Sequence, residues 1–379
     1  MTSTQAAPRP RDALRRAALP FLDWMETAAL PLWCRGGRFA EQYDEAARPV
    51  PRQGVTTLAQ ARQIYVYAHA AQLGWPHGLP VAMAAWRRLR DRAWADGWVG
   101  ETAADGTVLD PVVDLYDQAF MLLALAWLAR AGAAEAIGWA HRTLDAIERR
   151  MRLGDTPGFA NAWPDTPGPR LQNPHMHLLE AMLALQAVTG EARFAAAARD
   201  LVRLFQARLF DPATGTLAEY YGPAWQRLPE PYPGRVTWPG HHCEWVWLLH
   251  RAAAQLGLET RGEASALLGF ARRHALEPRT GLLRYAVAET GAVLDPMLRL
   301  WPQTEALKAA LVRPDAAGPD WAPRLLRGLM ALHLSPRPRG LWTETYDEAR
   351  RPVAGPIPAT SLYHLFVAYA ELRRALGRP

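Results

Sequence analysis

Six times along the chain, about sixty residues apart, a polar side chain capable of chemistry opens an otherwise apolar helical stretch. Arg62 does so in ARQIYVYAHA, Asp117 in DLYDQAFMLLALAWL and His177 in NPHMHLLEAMLAL, followed by His241 in WPGHHCEWVWLL, Glu305 in WPQTEALKAAL and His364 in PATSLYHLFVAYAEL. The separations are 55, 60, 64, 64 and 59 residues. Six copies of one supersecondary unit, each delivering one polar residue to a shared centre, produce such a beat. Three histidines, an arginine and two carboxylates in one apolar cup form an acid–base inventory.

Apolar residues recurring every three or four positions predict helices over 10–31, 57–73, 78–96, 115–132, 134–152, 174–189, 191–208, 241–256, 260–275, 303–313, 321–334 and 359–376. Taken in order as pairs, the second member of each pair carries one of the six polar residues. These second members are hydrophobic nearly all round, as from Leu122 to Leu128 and from Leu178 to Leu185, which demands burial on every side. The first members are amphipathic: in AIGWAHRTLDAIERRMR, Arg and Glu take one face. Six buried inner helices ringed by six amphipathic outer ones describe an all-α fold, the (α/α)6 barrel. An open solenoid of helix pairs is the alternative, but solenoid repeats run shorter, about 34 to 47 residues. Here the extra length sits in linkers such as GWVGETAADGTVLDP and GLLRYAVAETGAVLDP, each an apolar strand, a Gly-containing turn, a second strand and Asp-Pro. Short β-hairpins of that kind on one rim would wall a cleft. The chain reads as one catalytic domain, 1–379.

Charge excludes several functions. The net formal charge of +6 comes almost wholly from arginine, since Lys308 is the only lysine. No concentrated basic stripe is present, so nucleic acid is not the expected partner. A phosphate loop of the Gly-Lys-Ser/Thr type is absent, and Schiff-base chemistry would rest on Lys308 alone. Cys34 and Cys243 could form one disulfide, but two thiols in a chain this long fit a reducing cytosol better. The N-terminal stretch lacks the uninterrupted apolar core of a secretory signal, although its Arg-rich, acidic-poor composition also suits a transit peptide. No apolar run approaches bilayer-spanning length. The expectation is a cytoplasmic protein without membrane partners, as monomer or homodimer.

Each candidate lies near the start of its helix, after a Pro or Gly: Pro174 before His177, Pro239-Gly240 before His241, Pro302 before Glu305, Pro358 before His364. The positive end of the helix dipole disfavours imidazolium, so these histidines are expected to be neutral bases. Glu244, three residues after His241, shares its helical face and could orient that ring or offset its charge. The pairs in HMH and HH resemble metal ligands, but neighbours one or two apart on a helix diverge too far to share an ion, and no HExxH occurs. No metal is expected, with His175 the one position that leaves room for it. Tyr116, Trp163, Trp238, Trp301 and Trp342 fall near helix mouths, where flat rings would suit the C–H faces of a sugar; some serve only packing. Arg170 and Arg235 either meet an anionic group or remain solvated.

The segments RQIYVY, DLYDQAF, QNPHMHLLEA, PGHHCEW, WPQTEA and LYH, in that order over nearly the whole chain, resemble the N-acylglucosamine 2-epimerase superfamily, which includes mannose isomerases, sulfoquinovose isomerases and cellobiose 2-epimerases. The resemblance implies an (α/α)6 barrel that interconverts aldoses with ketoses or 2-epimers without metal or cofactor. It matches the general acid/base histidines to His241 and His364, a further active-site histidine to His177, the paired glutamate to Glu244 and a substrate-binding arginine to Arg62. Glu305 falls at another pocket position; Asp117, Tyr116 and Trp301 are expected to contact substrate. A histidine (His177 or His241) would open the sugar ring. His364 would then take the C2 proton through a cis-enediolate while Arg62 stabilises the oxyanion. QNPHMHLLEA, WPQTEALKA and IPATSLYHL resemble the mannose-isomerase branch most, so D-mannose to D-fructose isomerisation is the expected reaction on a monosaccharide. A 2-epimerase on an N-acylhexosamine or a disaccharide is the alternative. A glycoside hydrolase using Asp117, Glu244 or Glu305 would leave the histidines unexplained. Loops after residues 160, 215 and 340 would set the pocket's length.

Overall fold

The computed structural model describes residues 10–229, 235–335 and 338–378. Twelve principal helices carry this part of the chain. They are α1 (Pro10–Trp24), α2 (Thr57–Gln72), α3 (Leu79–Arg92), α4 (Leu115–Arg130), α5 (Ala136–Arg150), α6 (Gln172–Thr189), α7 (Ala192–Leu204), α8 (Pro239–Leu256), α9 (Arg261–Phe270), α10 (Leu300–Val312), α11 (Trp321–Gly328) and α12 (Thr360–Ala375). The even-numbered helices are the apolar ones, and each packs on the next in a ring that closes from α12 back to α2. Leu122, Leu123, Ala124 and Leu125 on α4, successive residues that point all round the helix, are all buried. Each such leucine contributes about 1.5–3 kcal/mol, which only a helix covered on all sides can collect.

The odd-numbered helices form the outer layer, with α3, α5, α7, α9 and α11 each against an inner helix. α1 packs on α11 and α12, so the first described helix covers the last repeat. Four outer helices, α1, α7, α9 and α11, run on into π-helical turns, at Met25–Ala29, Phe205–Leu209, Ala271–Ala275 and Leu329–His333. The open-solenoid alternative is thereby replaced by a closed barrel.

A short strand leads into every inner helix: Gly54–Thr56, Val113–Asp114, Arg170–Leu171, Val236–Thr237, Leu298–Arg299 and Ile357–Pro358. The first five pair antiparallel with a strand of the next linker, at Glu101–Ala103, Ala162–Trp163, Tyr220–Tyr221, Ala286–Ala288 and Thr345–Tyr346. The sixth pairs with Gln42–Tyr43, so the rim closes as the barrel does. Both hairpins expected from sequence are present, 101–110 and 286–295. All six inner helices therefore begin at one decorated end, where the recurring polar residues sit. Helices α6, α8 and α10 begin two or three residues earlier than periodicity predicts, because proline is accommodated in the first turn, where its missing N–H has no partner to lose. None of the described helices is long and apolar enough to cross a membrane.

Candidate active site

His241 occupies the first turn of α8, behind Pro239 and Gly240. A Cβ on Gly240 would stand 2.6 Å from the Trp301 ring, so only glycine lets that indole lie beside the histidine. The His241 Nδ1 is 2.7 Å from Oε2 of Glu219, a carboxylate between the strands Thr216–Leu217 and Tyr220–Tyr221. The Gln172 amide donates to the same oxygen at 2.9 Å and is itself held by the Trp245 indole N–H. The Trp238 backbone N–H donates to the other Glu219 oxygen. Burial works against a charged ring here, but Glu219, supported by Glu244 and Glu305, outweighs it and raises the His241 pKa above the ordinary imidazole value. The helix start, expected to keep this ring neutral, is overruled by a carboxylate in contact.

His364, in the first turn or so of α12, has its Nδ1 2.8 Å from Oε1 of Glu305. Burial, with Arg62 and Lys308 nearby, holds its pKa well below the ordinary value, so this ring is neutral. Both imidazoles lie against the same indole: the Trp301 ring centre is 4.8 Å from that of His241 and 5.7 Å from that of His364. Each ring is fixed through Nδ1, and neither Nε2 has a hydrogen bond among the described residues.

Behind these rings lies a buried charge layer built from residue pairs three apart on their helices. His177 Nδ1 is 3.2 Å from Glu180, which also accepts from the Tyr363 hydroxyl; burial lowers the His177 pKa. Glu305 Oε2 is 2.5 Å from the Lys308 ammonium, which is fully buried, 3.8 Å from Glu244 and 4.1 Å above the Trp247 ring. Burial favours a neutral Lys308, but Glu305, Glu244 and Glu180 together raise its pKa. It is a structural cation and not a nucleophile. Burial pushes Glu244 and Glu305 up to about 7.

Arg62 donates to the Thr360 carbonyl at 3.0 Å and to the Tyr116 hydroxyl at 2.6 Å, with its guanidinium 4.1 Å from the Phe120 ring centre. Asp117, in the first turn of α4, is buried; burial, reinforced by Asp114, pushes it up to about 8 against the pull of Arg62. Arg62, Tyr116, His177, His241, Glu244, Trp301, Glu305 and His364 therefore meet at one end of the barrel axis, with Asp117 beside Arg62. A groove of about 540 Å³ between α5 and α7, away from these residues, contains no histidine.

One expectation needs correction. Glu244 helps to offset the charge of His241 but does not orient it: its oxygens have no hydrogen-bond partner among the described residues, and its nearest imidazole is His177, at 3.9 Å. Glu219 takes that role. Trp342 is buried and stacks on Trp33, while Trp163 lies outside the cup beneath Arg150; Trp238 and Trp301 remain beside His241. His175 and His242 point away, bonded to Leu171 and Phe159 and to Leu217, so HMH and HH do diverge. Among the described residues, two other groupings are tight enough to hold an ion, His177 with Glu180 and Glu244, and Glu244 with Glu305 and His364. The second already faces the Lys308 ammonium. Cys34 and Cys243 are free thiols.

The sequence model of the family described as N-acylglucosamine 2-epimerase (GlcNAc 2-epimerase) matches residues 37–368. This chain belongs to that family. A mannose-6-phosphate isomerase of Rhizobium meliloti (strain 1021) is 35% identical over 94% of this chain and 96% of its own length. A D-mannose isomerase of Thermobifida fusca is 28% identical over 73% of each. Among solved structures, the cellobiose 2-epimerase from Spirochaeta thermophila DSM 6192 superposes with a TM-score of 0.86 at 26% identity, covering 98% of this chain and 99% of that one. As a member of the N-acylglucosamine 2-epimerase family, with isomerases and epimerases as relatives, this chain is a sugar isomerase or epimerase on an (α/α)6 barrel.

Proposed function

We propose that the chain is an aldose–ketose isomerase acting on D-mannose or a close derivative to give the D-fructose counterpart, by histidine acid–base transfer. One observation supports this most: two imidazoles share the Trp301 indole, each tied through Nδ1 to its own carboxylate, one favouring the charged and the other the neutral form. Surroundings that drive two titratable groups apart define an acid and a base. His241 in its protonated form donates to the ring oxygen and regains a proton from the anomeric hydroxyl, which opens the sugar. His364 takes the C2 proton, and the electron pair left on C2 forms the enediolate with negative charge on O1, near the Arg62 guanidinium. The proton on His364 returns to C1, a proton passes from O2 to O1 through His241, and the product is the ketose. Glu305 and Glu219 hold the two rings; His177 and Glu244 are positioning candidates, and Asp117, Tyr116 and Trp301 bound the sugar. Isomerase is favoured over epimerase because relatives named mannose isomerases accompany the motif resemblance.

The second reading, a 2-epimerase, draws on the same pair, since a protonated ring and a neutral ring can exchange C2 protons from opposite faces. Incubation with mannose, glucose, fructose, lyxose and N-acetylmannosamine in deuterated water, followed by NMR, separates the two. Fructose from mannose, labelled at C1, is expected, with turnover that survives EDTA. Glucose from mannose without fructose would establish the epimerase instead; loss of turnover on chelation would overturn the metal-free scheme.

A further inference from the structure

The residue immediately before each inner helix forms a ring around the mouth: Thr56, Asp114, Leu171, Trp238, Arg299 and Ala359. Trp238 shows what this position reaches, because its ring centre is 5.0 Å from that of His241. Arg299 holds the equivalent place in the next repeat and is the only cation in the ring. Its guanidinium lies 3.9 Å over the Tyr285 ring centre. Tyr285 packs on Trp238 at 5.1 Å and on Trp301 at 6.3 Å, the two indoles that touch His241. Arg299 therefore stands one aromatic ring beyond the reacting end, on the wall a hexose would lie along.

Its charge is unanswered. Arg170 is spent on Asp165, with bonds of 2.9 and 3.0 Å, and Arg235 is bonded to Glu289 at 2.5 Å, a carboxylate shared with Arg227. Arg299 makes no ion pair and donates no side-chain hydrogen bond among the described residues, and its Nε is buried without an acceptor. Glu344, a carboxyl that feels its charge, bonds Trp342 and Ser361, and burial raises its pKa. A guanidinium fork held flat against an aromatic ring, with free donors, matches a tetrahedral oxyanion.

We propose that Arg299 recognises a phosphate monoester on the end of the hexose remote from its carbonyl, so that the preferred substrate is a hexose 6-phosphate. This deepens the isomerase reading and rests on it for the identity of the sugar. Calorimetric titration of mannose, mannose 6-phosphate and inorganic phosphate into the wild-type protein, Arg299→Gln and Arg299→Lys tests it, with turnover followed separately by NMR. In the wild type, mannose 6-phosphate is expected to bind at least tenfold more tightly than mannose. That ratio should fall to about one in Arg299→Gln and to an intermediate value in Arg299→Lys. A ratio near one in the wild type, a ratio that survives Arg299→Gln, or parallel weakening of both sugars would overturn it. So would inorganic phosphate binding as tightly as the sugar phosphate, which would mark a general anion site. Tight, Arg299-dependent binding without turnover would instead count against the isomerase reading alone.

Discussion

The Glu219–His241 contact decides the charge of one catalytic candidate, and it sets a pH prediction. His241 has a raised pKa, so its acidic form persists above the ordinary imidazole value of 6.5. His364 has a lowered one, so its basic form persists below 6.5. The kcat/KM profile should therefore be bell-shaped, with its acid limb below that value and its alkaline limb above it. Glu219→Gln keeps an acceptor near Nδ1 but removes the charge, and should move the alkaline limb to lower pH while leaving the acid limb in place; an unmoved alkaline limb would deny Glu219 this role. His364→Ala should lower kcat by a factor of roughly 10² to 10⁴, measured as ketose formation, and undiminished turnover would remove it as the base. Residue by residue, the sequence exposed the three histidines and Arg62 because they keep step with the repeat. Glu219 was hidden because it sits in an irregular bend, where no period marks it; its only trace was a carboxylate within the otherwise uncharged run TGTLAEYYG. Spacing offered Glu244 instead, and sharing a helical face proved insufficient when the ring turned toward the bend.

Among the elements, α10 carries an arrangement that the sequence marked only in part. Glu305 and Lys308 lie three apart and form an ion pair that is buried completely. Removing one member of such a pair leaves the other's charge without compensation, so Lys308→Met should destabilise the fold by about 3–5 kcal/mol, read as a lower urea midpoint. An unchanged midpoint would show that Glu305 and Glu244 are already neutral in its absence. The signal was present in the sequence, since the one lysine of the chain falls inside an apolar inner helix, but the missing partners lie on α6 and α8. Helix extents were legible to within a few residues because inner and outer helices differ so plainly in composition. Strands of two residues, such as Val113–Asp114 with Ala162–Trp163, are too short for alternation to show. The two longer hairpins were visible for the opposite reason.

At the scale of the whole molecule, closure couples distant parts of the chain. Ile357–Pro358 pairs with Gln42–Tyr43, and α12 packs on α2, so the last repeat is stabilised by the first. An open solenoid loses its end repeats first; this ring should unfold in one transition that far-UV dichroism and tryptophan fluorescence report at the same denaturant concentration. Separated midpoints would indicate that the ring opens before it melts. Closure also explains why a period of about sixty residues foretold the architecture so well: six equal steps bring the chain back to its start, where an unequal series would leave a gap. The burial of Lys308 has a practical corollary. Reagents that acylate or crosslink lysine side chains have no target on the native surface, since the ε-amine lies within the barrel wall against Trp247. Lysine modification of this enzyme would therefore record the moments when the barrel is open.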